Sequence, residues 1–196
     1  MKKIILILFT LLLVACTSTE KKKNSDNDIR AKIYTNKGII NVYLYPEAAP
    51  IAVANFINLS EKGFYNGLTF HRVVSNFVIQ GGDPKGDGTG GPGYKFEDEF
   101  AIKWLNFYDE GMLAMDNSGE NTNGSQFFIT LRSATQLNSI HTIFGEVIST
   151  DKDMKIVKNI EIGDKIEKIE IIGNTKPLME KYKDKINEWN SILDKE

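Results

Sequence analysis

From about residue 29 onward, apolar side chains come in short runs separated by polar, glycine-rich turns. Ala31-Lys32-Ile33-Tyr34-Thr35 is followed, after the turn residues Asn36-Lys37-Gly38, by Ile39-Ile40-Asn41-Val42-Tyr43-Leu44. Two strand-like runs around a short polar turn predict a β-hairpin. At Pro50 the spacing changes. Val53, Phe56 and Ile57 follow a helical period, with proline at the start and Gly63 past the end, which predicts a helix. Further strands are predicted at 68–74, 77–80, 112–115, 127–131, 142–147 and 165–172. A second helix is expected over 151–159, with Thr150 as its N-cap and Met154, Val157 and Ile160 on one face. Many strands with two helices point to an antiparallel barrel or sandwich, and no internal repeat is present.

The two ends follow different rules. Beyond Gly173, Leu178, Tyr182, Ile186, Trp189 and Leu193 keep helical spacing through a stretch rich in Lys, Glu and Asp. This predicts an amphipathic helix starting after Pro177. Its apolar stripe either packs back on the barrel or meets a partner or a second copy. At the other end, Lys2 and Lys3 precede an apolar run from Ile4 to Val14 broken only by Thr10. That run is too short for a hydrocarbon core of about 30 Å, which takes roughly 20 residues, but it suits a signal peptide. Leu13-Val14-Ala15-Cys16 resembles the bacterial lipobox, in which cleavage precedes a cysteine that becomes lipidated. The alternative is an ordinary secretory signal with a chance cysteine. The following residue is Thr17 rather than Asp, which in a diderm bacterium resembles the pattern sorted to the outer membrane. In a monoderm host the anchor would sit on the outer face of the plasma membrane. Residues 17–28 are polar and mixed in charge, a composition that cannot offset chain entropy by burial. The expected organisation is therefore a signal peptide at 1–15, a tether carrying Cys16 at 16–28, a globular domain at 29–173 and a C-terminal helix at 174–196.

Composition narrows the function. Lys and Arg number 24 against 26 Asp and Glu, a formal charge of −2, which argues against a nucleic-acid partner. Cys16 is the one cysteine of the chain, so no internal disulfide and no multi-cysteine metal site is expected. His71 and His141 lie far apart in sequence with no third ligand apparent, and no metal or other cofactor is expected. The glycines of 81–91 lack the Gly-Lys-Ser/Thr ending of a P-loop, and the loop 116–124 lacks the ligand order of an EF-hand. Ser125 is not in a Gly-x-Ser-x-Gly elbow. What remains is an arginine, amides and many aromatics, a surface suited to binding rather than nucleophilic attack.

Three segments carry a resemblance. FHRVVSNFVIQGGDPKGDGTGGPGYKFEDE (70–99), GMLAMDNSGENTNGSQFFITL (111–131) and HTIFGEV (141–147) are similar to the cyclophilin-type peptidyl-prolyl cis-trans isomerases. The resemblance spans roughly residues 30–173. It implies a mainly β fold, an eight-stranded antiparallel closed β-barrel capped by two α-helices, here with the extra C-terminal helix. It also implies rotation of X-Pro bonds in proline-containing polypeptides, with no cofactor. By the same resemblance the catalytic arginine is Arg72. The proline pocket is Phe77, Val78, Phe128, Leu137 and His141; the substrate-backbone contacts are Gln80, Asn117 and Gln126; Gly88 lines the neighbouring groove. Phe70, Phe127 and Phe144 read as barrel core, and His71 as a structural hydrogen-bonding residue.

The sequence departs from the family in several places. Gln136 stands where many members carry Trp, so weak cyclosporin binding is expected. Val78 replaces a common Met. Asp116 and Ser118 replace small apolar residues, and Asp116 is expected to disfavour acidic residues near the proline. The expected protein is a monomeric isomerase, lipid-anchored in the cell envelope and assisting the folding of exported proteins. The rival reading is a module that clasps proline-containing segments without useful turnover.

Overall fold

The computed structural model describes residues 28–100, 102 and 105–195, so Cys16, the signal segment and most of the tether lie outside the described residues. Eight strands form one curled antiparallel sheet: β1 (Arg30–Thr35), β2 (Gly38–Leu44), β3 (Arg72–Val74), β4 (Val78–Gly81), β5 (Met112–Met115), β6 (Phe127–Thr130), β7 (Ile143–Val147) and β8 (Ile166–Ile172). Their order is β3-β4-β6-β5-β7-β2-β1-β8. The hairpin closes with Thr35 opposite Gly38, and the Thr35 hydroxyl donates to the Gly38 carbonyl at 2.7 Å.

Alternation along the strands separates two apolar bodies. Ile33, Ile40, Val42, Leu113, Phe127, Ile129 and Phe144 point into the curl and form the main core. The intervening residues Val78, Met112, Ala114, Phe128 and Ile143 form a second, smaller cluster on the other face. Strands β4, β5 and β6 are consequently buried on both sides, β5 as an unbroken apolar run and β4 and β6 with the polar residues Gln80 and Thr130 among their apolar ones. The helix α1 (Pro50–Glu61) packs into the main core, with Phe56 meeting the rings of Tyr65, Phe127 and Phe144 at 5.4, 5.7 and 5.2 Å.

Three expectations need correction. First, the barrel is not closed by strand ladders. Among the described residues, the segments leading into the edge strands β3 and β8 share a single bridge, Thr69 to Lys165, so the sheet is a curled half-barrel. The strand expected at 68–74 begins only at Arg72, because Leu68 and Phe70 spend their backbone groups on the first residue of β8 and the turn before it. The Phe70 N–H donates to Asp164 O and Ile166 N–H to Leu68 O, both at 2.8 Å. Second, α2 runs over Asp153–Lys158, and Thr150 does not cap it. Ser149 does that work: its carbonyl accepts from the N–H groups of Asp153 and Met154 at 3.1 Å, and its hydroxyl accepts from Lys152 N–H at 3.1 Å. Third, the C-terminal segment is two helices, α3 (Lys176–Lys181) and α4 (Lys183–Leu193), and the first begins before Pro177 rather than after it. Proline is tolerated there because the first-turn N–H has no intrahelical partner to lose. Both helices pack on α1, and Ile186 and Trp189 are buried against the main core. No helix among the described residues is long and apolar enough to cross a membrane.

Candidate active site

The register of three adjacent strand pairs places Arg72, Gln80, Phe128 and Ala114 directly opposite one another in a single row across β3, β4, β6 and β5. Directly opposed residues on neighbouring strands point to the same face. The row therefore brings an exposed guanidinium, a buried amide and a buried phenyl ring together on the outer face, over the smaller cluster. Val78 lies on the same side of β4, two residues from Gln80, and Phe77 and Leu137 pack around the cluster's edge. Phe77 precedes β4, and Leu137 belongs to a short 3-10 turn, Thr135–Leu137.

Phe128 is held on two sides. The ring of Phe107 stacks on it with centroids 5.9 Å apart, and His141 meets it edge-on at 5.1 Å and 89°. His141 Nδ1 lies 3.0 Å from the Met115 carbonyl. A carbonyl only accepts, so Nδ1 is the donor in this contact. The contact fixes the orientation of the ring.

A polar chain runs along the rest of the row. Arg72 Nη1 donates to Gln80 Oε1 at 3.2 Å, and Gln80 Nε2 donates to Asp116 Oδ2 at 2.8 Å and to Gln126 Oε1 at 2.9 Å. Gln126 Nε2 in turn donates to the carbonyls of Gly88 and Gly90 at 3.1 and 2.8 Å. Beyond it opens a cavity of about 700 Å³, lined by Gly88, Gly90, Tyr94, Asp116, Asn117 and Gln126. Burial pushes the Asp116 carboxyl above the ordinary aspartate value, against the opposing pull of His141, Arg72 and His71.

Gly82 explains why this wall stands so close. Its φ is +85°, and a Cβ there would overlap the Ser125 carbonyl oxygen. Only glycine allows the chain leaving β4 to pass the chain entering β6 at that separation.

The structure gathers Arg72, Phe77, Val78, Gln80, Gln126, Phe128, Leu137 and His141 around one surface. Gly88 and Asn117 stand on the rim of the adjoining cavity. Asn117 Nδ2 is turned to the Ile140 carbonyl at 2.8 Å. Phe70, Phe127 and Phe144 are fully buried core, as the sequence suggested. His71 differs from expectation: both of its ring nitrogens are buried without a hydrogen-bond partner among the described residues. Two contributors went unseen in the sequence. Phe107 comes from an irregular loop with no periodicity to mark it, and the Arg132 guanidinium lies 5.6 Å over the Phe77 ring. No group of three or more His, Cys, Asp or Glu among the described residues is placed to hold a metal.

Residues 30–186 match the family model described as cyclophilin type peptidyl-prolyl cis-trans isomerase/CLD. The chain belongs to that family. Among this cyclophilin's relatives, a peptidyl-prolyl cis-trans isomerase of Synechococcus elongatus is 44% identical over 143 residues, covering 73% of this chain and 96% of that protein. Peptidyl-prolyl cis-trans isomerase A of Mycobacterium tuberculosis is 43% identical over 162 residues, covering 75% and 85%. A crystal structure of a Cryptosporidium parvum cyclophilin aligns with a TM-score of 0.69 and 36% identity over 75% of this chain and 99% of that one. A second structure of that protein, in the presence of the dipeptide Ala-Pro, aligns with a TM-score of 0.68 and 37% identity, covering 74% and 99%. As a member of this family, the cyclophilin described here is an isomerase of peptidyl-prolyl bonds.

Proposed function

We propose that Arg72 is the catalytic group and that the Phe128 cluster is the proline pocket, in an isomerase serving exported polypeptides from a lipid anchor at Cys16. The single observation that carries the site is the transverse row, which sets a fixed cation beside an apolar floor. Rotation about a peptide bond faces a barrier of about 18–20 kcal/mol, because amide resonance is lost at the twisted geometry. No bond has to break. A catalyst has only to favour the twisted amide over both planar forms.

In the twisted amide the prolyl nitrogen becomes pyramidal and regains a lone pair. Arg72 is always protonated, and Gln80 Oε1 holds one of its N–H groups, leaving others to point at that nitrogen. Phe77, Phe128 and Leu137 hold the proline ring, with Val78 beneath and His141 as a side wall. Gln80, Gln126 and Asn117 face the flanking backbone, and Gly88 bounds the groove beyond. With one side gripped, rotation takes place on the other.

The test is cis/trans exchange in an Ala-Pro-Phe peptide, measured on the protein and on Arg72→Ala. The substitution should lower turnover on the order of 100-fold, the usual effect of losing a transition-state donor. Stability should stay within about 0.5 kcal/mol, as for an exposed residue. Unaltered turnover removes Arg72 from the mechanism. Peptide binding by the unaltered protein without any acceleration would instead favour a clasp for proline segments.

The cellular part of the proposal rests on the first residues of the chain. Ile4–Val14 and Leu13-Val14-Ala15-Cys16 suit a cleaved leader ending in a lipidated cysteine. The tether would let a monomer reach proline-containing segments as they emerge at the membrane surface.

A further inference from the structure

The outer wall of the groove beside the row is the strip Gly88-Thr89-Gly90-Gly91-Pro92-Gly93. Such a strip has little side chain with which to pack, and its glycines have wide backbone freedom. Gly88 and Gly93 use that freedom, at φ +90° and +79°. The position of the wall therefore depends on what holds its two ends.

The inner end is held by the barrel. Asp83 accepts from Lys85 N–H at 2.8 Å, Asp87 N–H at 3.0 Å and Gly88 N–H at 2.5 Å, and Gln126 holds the carbonyls of Gly88 and Gly90. The outer end is held from α1 and from the C-terminal helix α4. Tyr94 donates its hydroxyl to Asn55 Oδ1 on α1 at 2.7 Å, and its ring stacks on Trp189 of α4, with centroids 5.2 Å apart and planes 9° from parallel. Phe96 meets the same indole at 5.7 Å. Lys185, about one turn earlier on α4, lies 5.8 Å over the indole and pairs with Glu97 at 2.6 Å. Trp189 is 3% exposed and Tyr94 8%, so the stack is a packed joint rather than a surface contact.

We infer that Trp189 is a positioning residue for the substrate groove: its stack on Tyr94 sets the outer wall against which the peptide flanking the proline lies. Trp189 itself touches neither the row nor the cavity. It acts through Tyr94, which lines the cavity on one side and meets the indole on the other. The inference rests on the reading of this strip as part of the substrate groove. The row from Arg72 to Phe128 has its own supports, so loss of the stack should weaken capture of extended peptides and leave the rotation step intact.

The test uses the full-length protein and two substrates, the dipeptide Ala-Pro and a longer peptide with several residues before the proline. Trp189→Ala should raise KM for the longer peptide about fivefold while kcat changes less than about twofold, since the lost contribution is to binding alone. Exchange of the dipeptide should be unchanged. Hydrogen exchange at the amide of Phe96, which donates to the Asn123 carbonyl at 3.0 Å, should quicken, while that at Gln80 and Phe128 should not. Trp189→Phe, which keeps a flat ring, should restore most of the affinity. If the alanine variant does not fold, Trp189→Leu, apolar but not flat, carries the same expectation. An equal fall for both substrates, or no change in either, overturns the inference. Arg72→Ala run alongside separates the two readings: if it abolishes turnover while Trp189→Ala leaves KM unmoved, only the present inference fails. If Arg72→Ala is fully active, the site reading fails and the inference fails with it.

Discussion

Both polar atoms of the Gln80 amide are engaged, with one acceptor site of Oε1 left over: Oε1 accepts from Arg72, and Nε2 donates to Asp116 and to Gln126. A buried amide satisfied in this way cannot turn over without losing all its partners at once, so it fixes the arginine's direction. Asp116 makes this site different from a neutral one. A carboxylate lining the groove repels acidic side chains on a bound peptide. Asp116→Asn should therefore raise kcat/KM for a peptide with Glu before the proline relative to one with Ala, by about two- to tenfold at low salt. Because burial raises the Asp116 pKa, acidification neutralises it earlier than it would an exposed aspartate, and discrimination should fade there first. The stability sign follows from the same shift. The folded protein holds this proton more tightly than the unfolded chain, so Asp116 costs stability as pH rises from the ordinary aspartate value through the raised one. Urea titrations should show that slope reduced in Asp116→Asn; an unchanged slope removes Asp116 as its source. At this scale the sequence was informative only through its motifs. An isolated Arg72 is an ordinary exposed arginine, whereas its bond to Gln80 comes from strand register.

At the scale of elements, α1 shows how a locally incomplete helix is completed from a distance. Its N-cap is Ala49, which has no side chain able to cap, and no acidic residue lies in its first turn. Glu99 supplies the missing acceptors: Oε1 and Oε2 accept from the N–H groups of Ile51 and Ala52 at 3.0 and 2.9 Å. Burial raises the Glu99 pKa, partly offset by these two bonds. Glu99→Ala should cost about 1–2 kcal/mol in urea unfolding, as for loss of an N-cap. A cost near zero would mean that water replaces the carboxylate freely. Pro50 and Gly63 made the helix readable, but its cap was not, because the partner lies 48 residues away in sequence. The strands divide in the same way. The β1–β2 hairpin was plain from its turn residues and alternation. Strands β4, β5 and β6 carry apolar residues on both faces, and only their lengths and flanking turns marked them. The boundary at Leu68 was misread because an apolar segment can donate its backbone to a turn as well as to a ladder.

For the whole molecule, the proposed anchor and the folded domain are separate physical problems. Each buried acyl methylene contributes about 0.8 kcal/mol, so a multiply acylated Cys16 would hold the chain stably at a membrane. Cys16→Ala should move the protein from the membrane fraction to the soluble fraction with isomerase activity unchanged; continued full membrane association would sink the lipoprotein reading. The sequence alone determined the amphipathic C-terminal stripe, the mainly β content and, through long ordered motifs, the family; it also carries the leader pattern and the arginine on which the proposals rest. These are local or contiguous features, and spacing along the chain is enough to express them. Tertiary structure alone decided that the sheet is a half-barrel bridged at Thr69 and Lys165. It alone set Arg72, Gln80 and Phe128 in one row, stacked Phe107 on Phe128 and brought Trp189 against Tyr94. Each of these depends on register or on packing between segments distant in sequence. A one-residue slip in register would turn the row to the opposite face. No spacing within a single segment records which distant surface will cover it.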